Sequence, residues 1–385
     1  MNTSVLAPLR PQVEAFLSSA LPLWFGEGLD EGQGMFVEAL SFDGQSLRGL
    51  PRRARVQARQ LYVLGLAYER GEFVGSAQQH AELMERVMES VTRSYGALGG
   101  GFHTLVGAEG QVLDSARVLY DQAFYLMALA WLYRVTGKVS YREEAEELWG
   151  FIETLRDPRN GGFQLSDAPE SLPRQQNPHM HLFEACLLCA ELLGKVPWLA
   201  RADELYTLFQ TRFLDTTTGP QPFLREFFTA DWQPDPATGD HLDPGHHYEW
   251  TWLLGRYRTL GGAAAPELPL LYNTACAWGT DRDGLAYDEM LTGGRELRPT
   301  KRLWVQCEVL KGHLAYAHWS GDAQALERAR HVLGNILSQY LTPQGTWADQ
   351  LSRDHRNISE NSPSSTLYHL YVALNEALPA LAATP

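Results

Sequence analysis

Cysteine is scarce in this chain of 385 residues, and long apolar runs are absent. The four cysteines, at positions 186, 189, 276 and 307, are too few for a disulfide-stapled scaffold. Cys186 and Cys189 form a C-x-x-C within an apolar helical pattern that no second pair matches, which favours buried thiols over a zinc or redox centre. Because no stretch of about 18 apolar residues occurs, the sequence predicts no membrane-spanning helix.

Positive charge is also in short supply. Lysine and arginine number 32 against 46 aspartate and glutamate residues, which gives a formal net charge of −14. This balance argues against nucleic acid and anionic membrane surfaces as partners. The first residues lack the pattern of a secretory signal, and neither a G-x-G-x-x-G nor a P-loop occurs. We therefore expect a cytoplasmic enzyme or binding protein with no nucleotide-binding motif.

The chain shows a repeated amphipathic helical pattern, in which apolar residues recur at i, i+3, i+4 and i+7. Strand signals are short and lie in the connections. The pattern predicts about a dozen helices, over residues 11–24, 52–70, 78–95, 115–137, 141–155, 178–195, 199–213, 246–260, 265–278, 301–320, 322–341 and 364–382.

Glycine turns recur at a regular spacing between these helices. Gly101, Gly162, Gly284 and Gly345 lie 61, 122 and 61 residues apart, and the doubled gap predicts a further copy, which residues 218–223 supply. An earlier copy ends at Gly34, 67 residues before Gly101. Six helix pairs joined by hairpins predict an all-α fold, an (α/α)6 barrel formed by residues 1–385 as a single domain. An open solenoid is the alternative, but buried polar residues favour the closed form.

The segment that begins at Pro244-Gly245 places His246 and Glu249 three residues apart at the start of a predicted helix. On a helix the two side chains share one face. A histidine held by a buried carboxylate is suited to proton transfer near neutral pH. The structural alternative is a hydrogen-bonded pair in the core.

The same device recurs in two other helices. Asn177, His181 and Glu184 form one polar stripe on an apolar helix, while His179 lies off that stripe, so we expect no metal site. His369 is isolated within an apolar run near the end of the chain. Each histidine alone is typical of a satisfied core residue. Three of them on the inner helices of one barrel favour a shared site.

Further polar and aromatic residues fit a sugar-binding cavity. A buried Arg59 needs partners, either oxygens of a sugar or enediolate, or a carboxylate in an interhelical salt bridge. Tyr120 and Trp304 offer rings for the apolar faces of a sugar, beside hydrogen-bonding residues. The structural alternative places Trp304 in the core and pairs Glu308 with Lys301.

These residues stand in an order and spacing that resembles the N-acylglucosamine 2-epimerase superfamily, which includes cellobiose 2-epimerases, mannose 2-epimerases and isomerases that act on mannose or sulfoquinovose. The resemblance covers most of the chain, and the fold of the family is an (α/α)6 barrel. The matching segments are Gln57-Ala58-Arg59, Leu119-Tyr120-Asp121-Gln122-Ala123-Phe124, Asn177…His181…Glu184, Gly245-His246…Glu249, Leu303-Trp304…Glu308 and Tyr368-His369.

The resemblance implies a role for each matching residue. Arg59 resembles the arginine that binds the sugar oxygens and steadies an enediolate, and His246 and His369 resemble the acid/base pair. His181 is similar to a histidine of ring opening or substrate placement, and Glu249 to the carboxylate that supports the pair. The substrate-binding positions implied are Tyr120, Asn177, Glu184, Trp304 and Glu308.

One departure narrows the substrate. Disaccharide-specific epimerases carry a tryptophan shortly before the final histidine, whereas this chain has Pro363-Ser364-Ser365-Thr366. We therefore expect a monosaccharide isomerase, with D-mannose and D-fructose as the leading pair. The reaction is expected to pass through an enediolate without a metal or other cofactor. We expect a monomer or homodimer. A sugar 2-epimerase is the alternative. A glycoside hydrolase and a non-catalytic sugar-binding protein are more distant ones.

Overall fold

The computed structural model of the protein describes residues 5–168, 172–218 and 221–382. These contain a 3₁₀ turn at Ala7–Leu9 and twelve α-helices. A short π-helical turn extends α7 at Phe209–Phe213 and another extends α11 at Ile336–Tyr340. The α-helices are α1 Arg10–Phe25, α2 Ala54–Glu69, α3 Ala77–Tyr95, α4 Leu119–Thr136, α5 Val139–Thr154, α6 Asn177–Leu192, α7 Lys195–Leu208, α8 Pro244–Leu260, α9 Leu268–Trp278, α10 Leu303–Ser320, α11 Ala323–Asn335 and α12 Ser365–Leu381.

The even-numbered helices form a closed inner ring. Each packs on the next in the order α2, α4, α6, α8, α10 and α12, and α12 packs back on α2. The odd-numbered helices lie outside, each against its preceding inner helix, with α1 against α12. The predicted (α/α)6 barrel is confirmed, and the closing contact between α12 and α2 excludes the open solenoid.

Burial follows from this two-ring arrangement. Inner helix α4 is buried continuously from Asp121 to Leu132, as expected of a helix with neighbours on all sides. Outer helix α3 buries one stripe, which includes Leu83, Val87 and Val91, and exposes the opposite face to solvent. Of the described helices, none is both long enough and apolar enough to cross a bilayer.

In the described parts of the chain, sixteen strands of two to four residues, all paired antiparallel, occupy the long connections from each outer helix to the next inner one, in agreement with the sequence prediction. The hairpins therefore gather at the end of the barrel where the inner helices begin. The strands are β1 Leu29–Asp30, β2 Met35–Phe36, β3 Ala39–Leu40, β4 Arg52–Arg53, β5 Leu105–Val106, β6 Val112–Asp114, β7 Arg174–Gln175, β8 Leu214–Asp215, β9 Phe223–Leu224, β10 Phe227–Phe228, β11 His241–Leu242, β12 Glu289–Leu291, β13 Arg295–Arg298, β14 Lys301–Arg302, β15 Gln350–Leu351 and β16 Ser362–Pro363. They form the sheets β1-β2, β3-β16, β4-β5-β6, β7-β10, β8-β9, β11-β12-β13 and β14-β15.

The recurring glycines turn these hairpins with left-handed backbone. Their φ angles run from 65° to 88°, a region that glycine enters without the penalty of a Cβ. Gly219, in the copy predicted from the doubled gap, lies outside the described residues. The five glycines with these angles are Gly34, Gly101, Gly162, Gly284 and Gly345.

A polar side chain at or just before the first turn of each inner helix holds the backbone of a hairpin. Gln122 accepts a hydrogen bond from Phe102 N and donates one to Phe102 O, each 2.9 Å long. Two histidines do the same work with Nε2 as acceptor, at 3.0 Å from the backbone nitrogen. We call the side chains that hold hairpin backbone in this way clamp residues. They are Gln57, Gln122, His179, His247, Gln306 and Ser362.

The first and last units of the ring are joined directly. Strand β3 pairs with β16, and Trp24 of α1 stacks on Trp347 with ring centroids 4.3 Å apart. Trp24 Nε1 also donates to Gly345 O over 2.9 Å. These contacts close the barrel by packing distant parts of the sequence together.

Local details differ from the sequence predictions at a few boundaries. Pro244 is the first residue of α8 rather than part of a preceding turn, because proline lacks the N–H that a first helical turn leaves unpaired. Asp243 caps this helix and accepts from Gly245 N at 2.9 Å. Cys186 and Cys189 are fully buried free thiols, as predicted.

Candidate active site

Residues from all six inner helices meet near the helix N-termini. Each helix contributes at least one side chain that the sequence analysis had selected, and direct contacts connect almost all of them. Asn177 opens α6 one turn before His181, and its buried Oδ1 has no hydrogen-bond partner among the described residues. The other selected residues are Arg59 on α2, Tyr120 on α4, His181 and Glu184 on α6, His246 and Glu249 on α8, Trp304 and Glu308 on α10, and His369 on α12.

Arg59, on α2, contacts the inner helices on both sides of it, α4 and α12. Its Nη2 donates to Tyr120 Oη at 2.6 Å, and its Nη1 donates to Ser365 O at 3.1 Å. Within the described ranges it has no carboxylate at ion-pair distance. The interhelical salt bridge belongs instead to Arg55, whose Nε lies 2.8 Å from Asp121 Oδ1.

Three histidines share one arrangement, in which Nδ1 contacts a buried carboxylate. Since Nδ1 is then occupied, Nε2 is the nitrogen left for chemistry. The three contacts are His181 to Glu184 Oε2 at 3.0 Å, His246 to Glu226 Oε2 at 2.9 Å and His369 to Glu308 Oε1 at 2.7 Å.

The expected pairing of His246 with Glu249 is replaced by another carboxylate. Glu226, in the turn between β9 and β10, binds His246, whereas the nearest imidazole nitrogen to Glu249 Oε1 is His181 Nδ1 at 4.0 Å. His246 lies in the first turn of α8, so its Nδ1 meets the hairpin rather than the next turn of its own helix. The sequence carried no signal for Glu226, because the contact spans two elements.

A buried lysine was also missed. Lys311 Nζ lies 2.7 Å from Glu308 Oε2 and 3.7 Å from the ring centroid of Trp252. The alternative pairing of Glu308 with Lys301 is wrong, since Lys301 Nζ lies 3.2 Å from Asp281 Oδ2. The i, i+3 spacing of Glu308 and Lys311 places both side chains on one helix face and could have predicted this pair, as it predicted Glu184 beside His181.

The surroundings shift the pKa values of the three histidines in different directions, because burial dominates at His181 and His369 whereas two carboxylates outweigh it at His246. Although burial opposes the positive charge, Glu226 and then Asp243 raise the pKa of His246 to about 10. Burial lowers the pKa of His181 to about 4. Burial, reinforced by Arg59 and Lys311, holds the pKa of His369 well below its ordinary value. The surroundings therefore favour a protonated His246 and neutral His181 and His369.

Glu249 completes the floor of the site. Both of its carboxyl oxygens are buried without a hydrogen-bond partner in the part of the chain that the structure describes. Burial, followed by the proximity of Glu308, raises the pKa of Glu249 well above its ordinary value. A protonated Glu249 is consistent with three carboxyl groups beside Lys311, because the neutral acid removes one repulsive charge.

Two aromatic rings line the site beside the histidines. Trp304 lies with its ring centroid 5.5 Å from that of His246 and 5.4 Å from that of His369. Tyr120 meets His181 edge to face with centroids 4.7 Å apart. Both rings are partly exposed, so Trp304 is not a plain core residue.

Within this site, two groups of described side chains meet the distance requirement for metal ligands. They are His181 with Glu184 and Glu249, and Glu249 with Glu308 and His369, each with potential ligand atoms within 4.8 Å of one another. In the second group the Lys311 ammonium already provides a positive charge beside Glu308.

We predict that turnover is independent of divalent metal, because the Lys311 ammonium already balances the charge of Glu308, one of the carboxylates that a metal would bind. The measurement is the rate after exhaustive chelation and again after single divalent ions are added back. A rate that is lost on chelation and restored by one ion would contradict the prediction.

Comparisons with known proteins agree with the fold described above. A family model described as N-acylglucosamine 2-epimerase (GlcNAc 2-epimerase) matches residues 34–373. The mannose-6-phosphate isomerase of Rhizobium meliloti (strain 1021) is 35% identical over 384 residues, which cover 93% of each chain. A crystal structure of a D-mannose isomerase superposes with a TM-score of 0.86 at 20% identity, covering 96% of this chain and 97% of that one. The cellobiose 2-epimerase of Spirochaeta thermophila DSM 6192 gives a TM-score of 0.84 at 23% identity, covering 98% and 97%.

Proposed function

This chain belongs to the N-acylglucosamine 2-epimerase family, and from that premise we propose that it is an aldose–ketose isomerase that interconverts D-mannose and D-fructose. The observation that carries the proposal is the placement of His246 and His369 beside Trp304, each with Nδ1 on a buried carboxylate. The pKa of His369 is held below its ordinary value and that of His246 is raised, which suits the first to act as a base and the second as an acid in proton transfer between adjacent carbons.

In the proposed reaction the open-chain aldose lies with C1 and C2 between the two imidazoles. Neutral His369 removes the proton from C2 while the His246 imidazolium donates a proton to O1, which gives an enediol. His369 then returns its proton to C1, and His246 recovers a proton from O2. The product is the ketose, and both histidines end in their starting protonation states.

Arg59 and Glu249 support this chemistry. The guanidinium places a permanent positive charge beside the developing negative charge on the sugar oxygens, where a fixed donor stabilises the transition state more than the ground state. His181 is neutral and contacts Tyr120, which suits hydrogen bonding to a ring or chain hydroxyl. As a neutral acid, the Glu249 carboxyl group adds no further negative charge next to the enediolate.

Two features support a monosaccharide substrate without a phosphate. Ser364 Oγ donates to Val37 O at 2.6 Å, so the segment before His369 closes onto the first unit instead of presenting a tryptophan to a second sugar. The arginines at the starts of α2 and α10 are already paired: Arg53 with Glu38, Arg55 with Asp121, and Arg302 with Asp288. A phosphate group would have to compete with these carboxylates for its cation.

We predict that D-mannose is converted to D-fructose with kcat/KM higher than that for D-mannose 6-phosphate by on the order of 10²-fold, because burying an uncompensated dianion costs several kcal/mol. The experiment incubates both aldoses in D2O and follows products and C2 deuteration by NMR.

Each alternative has its own outcome in that experiment. Glucose as the main product from mannose would identify a 2-epimerase, in which the proton returns to C2 from the opposite face. A preference for the phosphorylated sugar would contradict the charge argument. Hydrolysis of an aryl mannoside would indicate a glycosidase, and the absence of exchange into any aldose would indicate a binding protein.

A further inference from the structure

The backbone of Glu226 is fixed between two hairpins. Glu226 lies in the two-residue link between β9 and β10, and β10 pairs with β7. The ladder continues one step further, because Gln176 N donates to Glu226 O at 3.2 Å. The position of this carboxylate is therefore set by strand pairing next to the start of α6.

The side chain of Glu226 is held by a second contact with Gln176. Gln176 Nε2 and His246 Nδ1 both donate to Glu226 Oε2, each at 2.9 Å. Gln176 Oε1 in turn accepts from Trp250 Nε1 at 2.9 Å. Trp250 stands one turn after His246 on α8 and is fully buried. The contacts form a loop that returns to the helix bearing the histidine, so neither the carboxylate nor the imidazole is free to rotate.

The charges around His246 are mostly negative on its Nδ1 side. Glu226 is the only carboxylate in hydrogen-bond contact with it among the described residues, and Asp243 Oδ2 is 3.9 Å away. In that same part of the chain Glu226 has no lysine or arginine at ion-pair distance, unlike Glu308. The charged or titratable groups around His246 and its neighbouring carboxylates include Glu226 from the hairpin, Asp243, His247 and Glu249 from its own helix and cap, His181 from α6, Asp288, Arg302 and Glu308 at or near α10, and His369 from α12.

We propose that Glu226, anchored by Gln176 and Trp250, is the positioning residue that orients His246 and maintains it as the proton donor of the site. The catalytic role of Glu226 rests on the proposed function, whereas the effect of Glu226 on the charge of His246 does not. Glu226 forms no part of the substrate contacts proposed above. It acts through His246 by occupying Nδ1 and by supplying the negative charge that the imidazolium faces.

The test is the isosteric substitution Glu226→Gln in the full-length protein. Loss of an adjacent negative charge lowers the pKa of a histidine, here by about 1–3 units. We expect the ¹⁵N resonances of the His246 ring, identified by their disappearance in His246→Asn, to titrate at a pH lower by that amount. The alkaline limb of kcat/KM for mannose should move in the same direction, since activity is lost as pH rises through the pKa of an acid.

A matched control removes a buried carboxylate elsewhere. Glu267 accepts from Tyr206 Oη and Gln210 Nε2, each at 2.7 Å, and contacts no histidine. Glu267→Gln changes the net charge by the same amount and should leave the titration of His246 and the alkaline limb unchanged. Glu226→Asp keeps the charge on a shorter side chain, so its titration should stay closer to that of wild type than that of Glu226→Gln does.

The outcomes separate this proposal from the proposed function. The titration needs no sugar, so a shift in Glu226→Gln supports the proposal even if mannose is not the substrate. An unchanged titration and an unchanged alkaline limb in a folded Glu226→Gln would overturn it. Should that variant fail to fold, the wild-type protein alone suffices, because a His246 that titrates near its ordinary value would overturn the proposal as well.

Discussion

We expect the replacement of His369 by asparagine to lower both the conversion of mannose and the exchange of its C2 proton. The rate falls by about 10²–10⁴-fold, the usual contribution of a positioned acid or base. The reason is that His369 is the proposed base for the C2 proton, and burial together with Arg59 and Lys311 holds its pKa below the ordinary value. The imidazole of His369 is 5% exposed, and its Nδ1 is occupied by Glu308, which leaves Nε2 to act.

The comparison with His246→Asn distinguishes the two roles. That variant should lose product formation to a similar extent but retain some exchange at C2, because the base remains. His313 provides a matched control, since it is equally buried, bonds Tyr272 Oη at 3.0 Å and lies on the far half of α10. His313→Asn should turn over at close to the wild-type rate per folded molecule. Mannose conversion near the wild-type rate in both His246→Asn and His369→Asn would make them core histidines.

Replacing Arg59 by alanine should abolish turnover while the fold survives. A single donor to a developing oxyanion contributes about 10²–10³-fold to the rate, and Arg59 also carries a full charge. Its partners are a phenol and a backbone carbonyl, so its removal leaves no buried carboxylate without a cation. Thermal melting and specific activity, measured on the same preparation, test the two halves of the prediction.

Arg55→Ala is the contrasting variant. Its loss leaves Asp121, which is fully buried, without its ion pair, and breaking a buried pair in this way costs about 3–5 kcal/mol. We expect Arg55→Ala to melt well below wild type and Arg59→Ala to melt close to it. An Arg59→Ala protein that melts early but retains its activity per folded molecule would assign a structural role to that residue.

The ring was predictable because its signals are local and periodic. The glycine turns have a fixed spacing, and outer helices such as α3 carry a 3.6-residue apolar pattern that can be recognised without the rest of the chain. The polar stripe of His181 and Glu184 was predictable for the same reason, since both residues lie on one helix face. Lys311 beside Glu308 follows the same rule.

The partner of His246 was not predictable, because it depends on where a hairpin folds back. Glu226 is 20 residues upstream of His246 and contacts it only once β10 pairs with β7. Residue type also does not show which histidine belongs to the site and which is a clamp residue. His246 and His247 are neighbours in the sequence, yet successive side chains on a helix point about 100° apart, so one meets the site and the other holds Leu224 N.

The contact between Arg59 and Ser365 joins residues that are 306 positions apart. Closing so long a loop has an entropic cost that no local contact offsets, and contacts of this separation form late. During refolding from denaturant, most helices can therefore return before the ring closes, while Arg59 and His369 still belong to separate ends of an open chain. Enzyme activity then reports the final closure step, and it should recover after the circular dichroism signal of the helices.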